Sequence, residues 1–331
     1  MSDTPTFSSL VQEFFTQRLV GQANASARTV SSYRDTLRLF LRHAEAAGKS
    51  PTALTLADLD APFILAFLDN LEKERANSIR TRNVRLAAIR SFLHYAALRD
   101  PTSLPIVERV FAIPVKRFDR PLLGFLSREE TEAILAAPDS STWSGHRDQA
   151  LFATLYNTGA RVSEITAVRV MDAQLDRSLS LRIQGKGRKE RTVPLWKKTA
   201  SSLKAWLNRL QSAPEGPLFP NRDGTRLSRF GVVKRLRAAV QVATKQCPAL
   251  KARRVSPHTF RHTTAMHLLQ SGVDITVIAL WLGHESPTTT HLYVEADLTM
   301  KEQALSKLEA PSTRRSRFHA SDSLLTFLDG L

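Results

Sequence analysis

Apolar side chains recur at three- and four-residue intervals through the first hundred positions, the spacing that puts them on one side of a helix. Phe7, Leu10, Val11, Phe14 and Phe15 open the series, and Val30, Tyr33, Leu37, Phe40 and Leu41 continue it, predicting a helix over 29–46. Pro51 breaks the chain, a third helix is predicted over 59–71, and a fourth over 79–98. In the fourth, Ile79, Val84, Leu86, Ile89, Phe92 and Leu93 form the apolar side, while Arg80, Arg82, Arg85 and Arg90 lie opposite. Those four arginines suit either a solvated face or a row of phosphate contacts.

The pattern changes at 100–126, where Pro101, Pro105, Pro114 and Pro121 accompany Lys116, Arg117 and Arg120. This stretch reads as a basic, extended linker. The first domain is taken as 1–112 and the linker proper as 113–126, with the boundary near 120. Ser127 and Glu130 then form a capping box for a new helix. A helix over 147–157 stops at Gly159, another starts near Arg161, and 178–184 and 191–195 alternate like strands, joined as a hairpin by 185–190. The expected fold is mainly α: a helical first domain, then a mixed, mostly α second domain at 127–310 with a small antiparallel β-sheet. No period of 20–50 residues marks a repeat architecture.

Charge separates the two parts further. Residues 1–115 carry 14 basic and 11 acidic side chains, whereas 116–331 carry 33 and 20, within a chain of net charge +16. From 177 to 254, twenty basic residues face three acidic ones, so a polyanion is expected to bind mainly the second part. Cys247 is the single cysteine, which excludes an internal disulfide and a cysteine-based zinc cluster. The sequence has no apolar run of membrane-spanning length, and Met1 to Pro5 lacks the plan of a signal peptide, so a cytoplasmic location is expected.

Four short segments place polar residues where a plain helical core has no use for them. Arg161 follows Gly159 at a helix start, a favourable place for a guanidinium to meet an anion. Lys186 lies between Gly185 and Gly187 at a hairpin tip, which reads either as a reaching lysine or as an ordinary solvated turn. Ser256 and Pro257 make a firm helix start that carries His258 and Arg261, three apart. His258, His262 and His267 also fall at helical spacings, but the Glu that follows the first His of a zinc-protease helix is missing, and neither metal nor cofactor is expected. Last, Gly283 ends a helix ahead of His284, and Ser286 with Pro287 starts another that bears Tyr293 about two turns in.

In order and spacing, Arg161, Lys186, His258, Arg261, His284 and Tyr293 resemble the catalytic set of the tyrosine recombinase (phage integrase) family. The flanking words TGARVSE, GKGRKER, HTFRHT, LGH and TTTHLY match as well. The resemblance spans the second domain nearly end to end, and the helical first domain is similar to that family's SAM-like core-binding domain.

It implies a site-specific recombinase in which Tyr293 attacks a scissile phosphodiester, leaving a 3′-phosphotyrosine and a free 5′-hydroxyl. Arg161 and Arg261 would hold the non-bridging oxygens, with Glu164 supporting the first arginine. Lys186 would protonate the leaving oxygen, His258 act as general acid/base and His284 donate a hydrogen bond. DNA contacts are expected from Arg80, Arg82, Arg85, Arg90, Lys116, Arg117, Arg188 and Lys189. The implied partner is double-stranded DNA at an inverted-repeat site, clamped between the two domains and bound by a homo- or hetero-tetramer. The stretch 321–331, within the tail 311–331, is amphipathic and too short to stand alone, and is expected to dock on a neighbouring protomer, the alternative being a frayed terminus or docking in cis. A type IB topoisomerase would share this chemistry; a catalytically silent DNA-binding regulator or a metal-dependent nuclease would not.

Overall fold

The computed structural model describes residues 5–118, 124–185 and 189–284. Lys186, Arg188, Tyr293, the helix start at Ser286 and Pro287 and the tail 311–331 lie outside the described residues. The chain divides into two compact units, Met1–Pro121 and Leu122–Leu331.

The first unit is helical. It runs through α1 (Phe7–Glu13), a wider π-helical continuation (Phe14–Gln22), α2 (Ala27–Ala46), α3 (Ala61–Lys73), α4 (Ile79–Arg99) and α5 (Leu104–Phe111). Ser26, Asp60 and Ser78 each accept a backbone N–H three residues on, which fixes where α2, α3 and α4 begin. Phe7, Phe14 and Phe92 meet edge to face at the centre of its core, with ring centroids 5.5–5.6 Å apart.

Two expectations are corrected here. The stretch after Asp100 is not extended throughout. Pro101 and Pro105 sit in the first turns of a 3-10 turn and of α5, where a missing N–H costs nothing, and Val107 and Val110 enter the core. The buried stripe of α4 also differs from the one read off the sequence. It runs Arg82, Leu86, Ile89, Phe92, Leu93 and Ala96, while Val84 is 45% exposed. Arg82 occupies an apolar position because its guanidinium finds partners inside.

The second unit contains α6 (Arg128–Ala136), α7 (Trp143–Thr158), the single turn α8 (Val162–Ile165), strands β1 (Ala173–Gln174), β2 (Ser180–Gln184) and β3 (Glu190–Pro194), then α9 (Lys197–Leu210), α10 (Arg229–Ala243), α11 (Pro257–Gln270) and α12 (Ile275–Leu282). The strands form one antiparallel sheet in the order β1-β2-β3, with Leu181 opposite Val193 and Ile183 opposite Arg191. Strand β1 was not expected, being two residues long. Ser127 and Glu130 complete the predicted capping box, and Ser256 caps α11 with Pro257 in its first turn.

Helix α11 is the axis of this unit. Phe260, Arg261, Thr263, Thr264, Ala265 and Met266 are all buried, so it passes through the interior with polar groups on several sides. Those groups are used locally: the Thr264 hydroxyl donates to the Tyr156 carbonyl at 2.6 Å, and Thr263 Oγ1 accepts from the Leu126 backbone at 3.0 Å. Asn157 binds the end of the sheet through the Pro194 carbonyl, and its own carbonyl accepts from the Trp281 indole. The ends of α7, β3 and α12 are thereby held together beside α11.

Candidate active site

Two helices end at one place, and both end on glycine. Gly159 closes α7 at φ +58° and Gly283 closes α12 at φ +64°, in the left-handed region. Space is as restrictive as conformation: a Cβ on Gly159 would come within 2.4 Å of a Leu282 methyl. The carbonyls at these ends carry the negative pole of their helices, and arginines occupy them. Arg261, only 2% exposed, donates from Nη1 to the Gly159 carbonyl at 2.7 Å and from Nη2 to the Leu282 carbonyl at 2.8 Å. Arg161 lies 3.4 Å from the Gly283 carbonyl through both Nη atoms.

Glu164 fixes Arg161 from the other side. Its Oε1 accepts from Arg161 Nη1 at 2.7 Å, and its Oε2 accepts the Arg161 backbone N–H at 2.9 Å. At the start of α8 this carboxylate takes the Arg161 N–H, closing a capping box there. Arg191 of β3 also donates to Glu164 Oε2, at 2.7 Å. Burial pushes the Glu164 carboxyl up, but Arg191 and Arg161 outweigh it and hold the group below its usual range. Arg191 was not singled out in the sequence; the word GKGRKER contains it, but a basic residue on a strand in a basic region gives no signal of its own.

His284 follows Gly283 directly, and its backbone N–H donates to the Ala279 carbonyl at 3.0 Å. Burial, and then the positive fields of Arg261, Arg161, His262 and Arg191, push its imidazole down to about 4, so it is neutral near pH 7. His262 is likewise lowered to about 4, by burial, His258 and Arg261. His258 sits exposed in the first turn of α11, its ring 4.2 Å from that of His262 and nearly perpendicular to it. His267 is turned away from this pair, 2.7 Å from the Tyr156 hydroxyl through Nδ1 and edge-on to Phe125. The three histidines do not converge.

Arg161, Gly185, Lys189, Arg191, Gly283 and His284 line an open cleft of about 240 Å³. Its chemistry is that of an anion site: cations anchored on backbone carbonyls and a neutral imidazole. The Gly185 N–H closes the hairpin onto the Lys189 carbonyl at 2.7 Å, so the loop that bears Lys186 starts at the rim of this cleft.

The arginines expected to touch DNA from α4 divide. Arg80 is exposed. Arg82 is 2% exposed, 3.7 Å from Glu72 through Nε and 3.4 Å from the Pro114 carbonyl through Nη1. Arg85 donates to the Ser32 carbonyl and the Thr36 hydroxyl at 3.0 and 2.9 Å, and Arg90 donates to the Phe111 and Ile113 carbonyls. These three guanidiniums bind their own fold in the free chain, whereas Arg80 does not share this burial. Lys116 is partly exposed and paired with Glu72 at 2.6 Å, and Arg117 and Lys189 are exposed.

Comparison with known proteins adds a family. The model of the phage integrase family matches residues 124–300, and that of the phage integrase N-terminal SAM-like domain matches 12–100. The y4rC product of Sinorhizobium fredii, itself named only provisionally as an integrase/recombinase, is 48% identical over 332 residues, spanning 100% of both chains. Tyrosine recombinase XerC of Pelobacter propionicus is 32% identical over 86% of this chain and 90% of its own. Among solved structures, XerH recombinase bound to its difH substrate superposes with a TM-score of 0.67 at 22% identity, over 90% of this chain and 84% of that one. A lambda integrase dimer on a core site superposes at 0.63 and 17% identity, over 89% and 97%. At such identities these likenesses speak to the fold.

Proposed function

Since the chain belongs to the phage integrase family of tyrosine recombinases and is a DNA strand-exchange enzyme, we propose that its cleft receives the scissile phosphate of a defined DNA site. The observation that carries this is the meeting of Arg161, Arg261 and His284 at the glycine-terminated ends of α7 and α12. In the proposed cycle the Tyr293 oxygen attacks phosphorus and the bond to the 5′-oxygen breaks. The phenolic proton passes to His258, and the departing oxygen takes a proton from Lys186. The reverse steps rejoin a strand, because the phosphotyrosine bond conserves the energy of the diester.

Arg161 and Arg261 present N–H groups to the non-bridging oxygens, where negative charge grows in the transition state. Planar forks already anchored on carbonyls need little reorganisation for this. His284, neutral near pH 7, donates an N–H without adding charge. In this proposal 1–112 binds DNA, 113–126 links, 127–310 carries the chemistry, and the tail 311–331 docks on a neighbour within a tetramer assembled on inverted repeats. A cytoplasmic location fits DNA as substrate, and among the described residues no helix is long and apolar enough to cross a membrane.

Covalent trapping tests the reading. Wild type and Tyr293→Phe are incubated with nicked suicide duplexes carrying gene-flanking and randomised sequence, in EDTA, and resolved on denaturing gels. The expected result is a wild-type adduct that is absent from the Phe variant. No adduct despite salt-sensitive DNA binding would overturn the cleavage reading, and an adduct surviving Tyr293→Phe would overturn the assignment of the nucleophile.

A further inference from the structure

Among the described residues of the cleft, Arg191 is the arginine to which the proposed cycle gives no task. Its side chain is largely buried, and it reaches from β3 to two other elements. Nη2 donates to Glu164 Oε2 at 2.7 Å, and Nε donates to the Trp281 carbonyl at 3.0 Å, within the last turn of α12. Its guanidinium also lies against Gly283, where an added Cβ would come within 2.8 Å of Nη1 and 3.2 Å of Cζ. The turn that delivers His284 is thus shaped around Arg191 as well as around its own positive φ.

We propose that Arg191 is a positioning residue for strand cleavage, setting through Glu164 the direction of Arg161 and through the 281–283 backbone the direction of His284. This rests on the reading of Arg161 and His284 as ligands of the scissile phosphate. A carboxylate held by one guanidinium can turn about its own bond and take that guanidinium with it. Glu164 Oε2 is held both by the Arg161 backbone N–H and by Arg191, which together fix the carboxylate plane, and the Arg161 side chain, 38% exposed, takes its aim from that plane. Arg191 also stands at the root of the hairpin that carries Lys186, its backbone opposite Ile183. One side chain therefore joins the backbone pieces that bring Arg161 and His284 to the cleft and the strand that leads out of the hairpin.

The charges around these groups make the role separable from plain structural support. Glu164 is faced by Arg161 and Arg191, and His284 by Arg261, Arg161, His262 and Arg191. Taking Arg191 away removes a cation from both, so both protonate at higher pH. A protonated Glu164 releases its grip on Arg161, and a charged His284 is a different donor.

The test uses the full chain in single-turnover cleavage of suicide duplexes across a pH series, with DNA affinity and thermal melting measured on the same preparations. Arg191→Ala is expected to bind DNA within about threefold of wild type and to cleave about 10- to 100-fold more slowly, the usual cost of losing a group that orients a ligand-binding side chain. The acid limb of its rate profile moves to higher pH. Arg191→Lys, which restores the charge without the fork, recovers part of the rate and returns the acid limb toward wild type. Arg191→Gln, close in size, serves where the Ala variant melts too low. Rates that fall by one factor at every pH, in step with lost folded protein, would overturn the proposal in favour of a structural strut. Wild-type speed in Arg191→Ala overturns the proposal alone, whereas a wild type that forms no adduct overturns the cleavage reading on which it rests.

Discussion

Arg82, Arg85 and Arg90 of α4 in the first unit, and Arg161 and Arg261 in the second, are all held by carbonyl oxygens of their own chain. The two groups differ in what the carbonyls belong to. In the first unit they lie within α2, at Ser32, and on the last residue of α5 and the chain that leaves it, at Phe111, Ile113 and Pro114. Arginine there fastens chain to helix. In the second unit the carbonyls are the last ones of α7 and α12, left over because each helix stops at a left-handed glycine. Arg161, bound at the end of α12, lines a cleft, while Arg261, bound at the ends of both helices, is buried. An arginine-rich helix and an arginine-lined cleft look alike in composition; in the proposed cycle the glycine-ended helices set the reagents apart from the fasteners.

The widest gap between the two groups should appear on exchanging Arg161 and Arg82 for alanine. In the proposed cycle Arg161→Ala removes a donor to the transition state, with an expected loss of a hundredfold or more in the rate of adduct formation, about 3 kcal/mol of barrier. Its melting temperature should move little. Arg82→Ala should do the opposite. It empties a buried position and takes one partner from Glu72, which keeps Lys116, so about 2–4 kcal/mol of folding stability should be lost while the folded fraction cleaves normally. Denaturant melts and single-turnover rates on both variants decide it. If Arg82→Ala instead lost DNA affinity at full stability, the division into fasteners and reagents would be wrong.

How much of this could be read from sequence follows the same division. The helices of the first unit were legible to within a few residues, since α2, α3 and α4 have clear apolar periods and polar caps. The buried face of α4 was not, because Arg82 holds an apolar position and its partners Glu72 and Pro114 are distant in sequence. Helix α5 was hidden by Pro105 and by Pro101 just ahead of it, which read as breakers until their place in a first turn is known. In the second unit both glycine stops were legible, as was the company of Arg161, Glu164, Arg261 and His284, because each sits beside a turn signal. Arg191 was not, since its function comes from Glu164 and Trp281, which no local pattern connects to β3.

The two units should also part company on acidification. Among the described residues the second unit holds three histidines lowered chiefly by burial, His262, His267 and His284, against His43 alone in the first. A histidine whose folded pKa lies below its unfolded value of about 6.5 binds its proton more readily once unfolded. Its contribution is complete above about pH 6.5 and is lost as pH falls toward the folded value, near 4 for His262 and His284. Asp58, the strongly shifted carboxyl of the first unit, is lowered to about 2 by Lys49 and Thr55, so what it contributes is lost only below about pH 4. Calorimetry between pH 7 and pH 4 should therefore show the transition of the second unit falling while that of the first stays nearly still. A single transition that falls as a whole would mean the two units do not melt separately.

The smallest effect belongs to Arg80, and it sharpens the comparison within a single helix. Arg80 shares α4 with the three fasteners but is exposed, in the first turn after the Ser78 cap. If it is a phosphate contact, Arg80→Ala should leave folding unchanged and weaken binding to all duplexes alike, by a few-fold at moderate salt. The slope of log affinity against log salt should fall by about 0.9, the value for one released counterion. Arg85→Ala should leave that slope alone, because its guanidinium is already taken by Ser32 and Thr36. Equal slope changes in both variants would mean that Arg85 exchanges its carbonyl for a phosphate on binding DNA, making it a fastener only in the free protein.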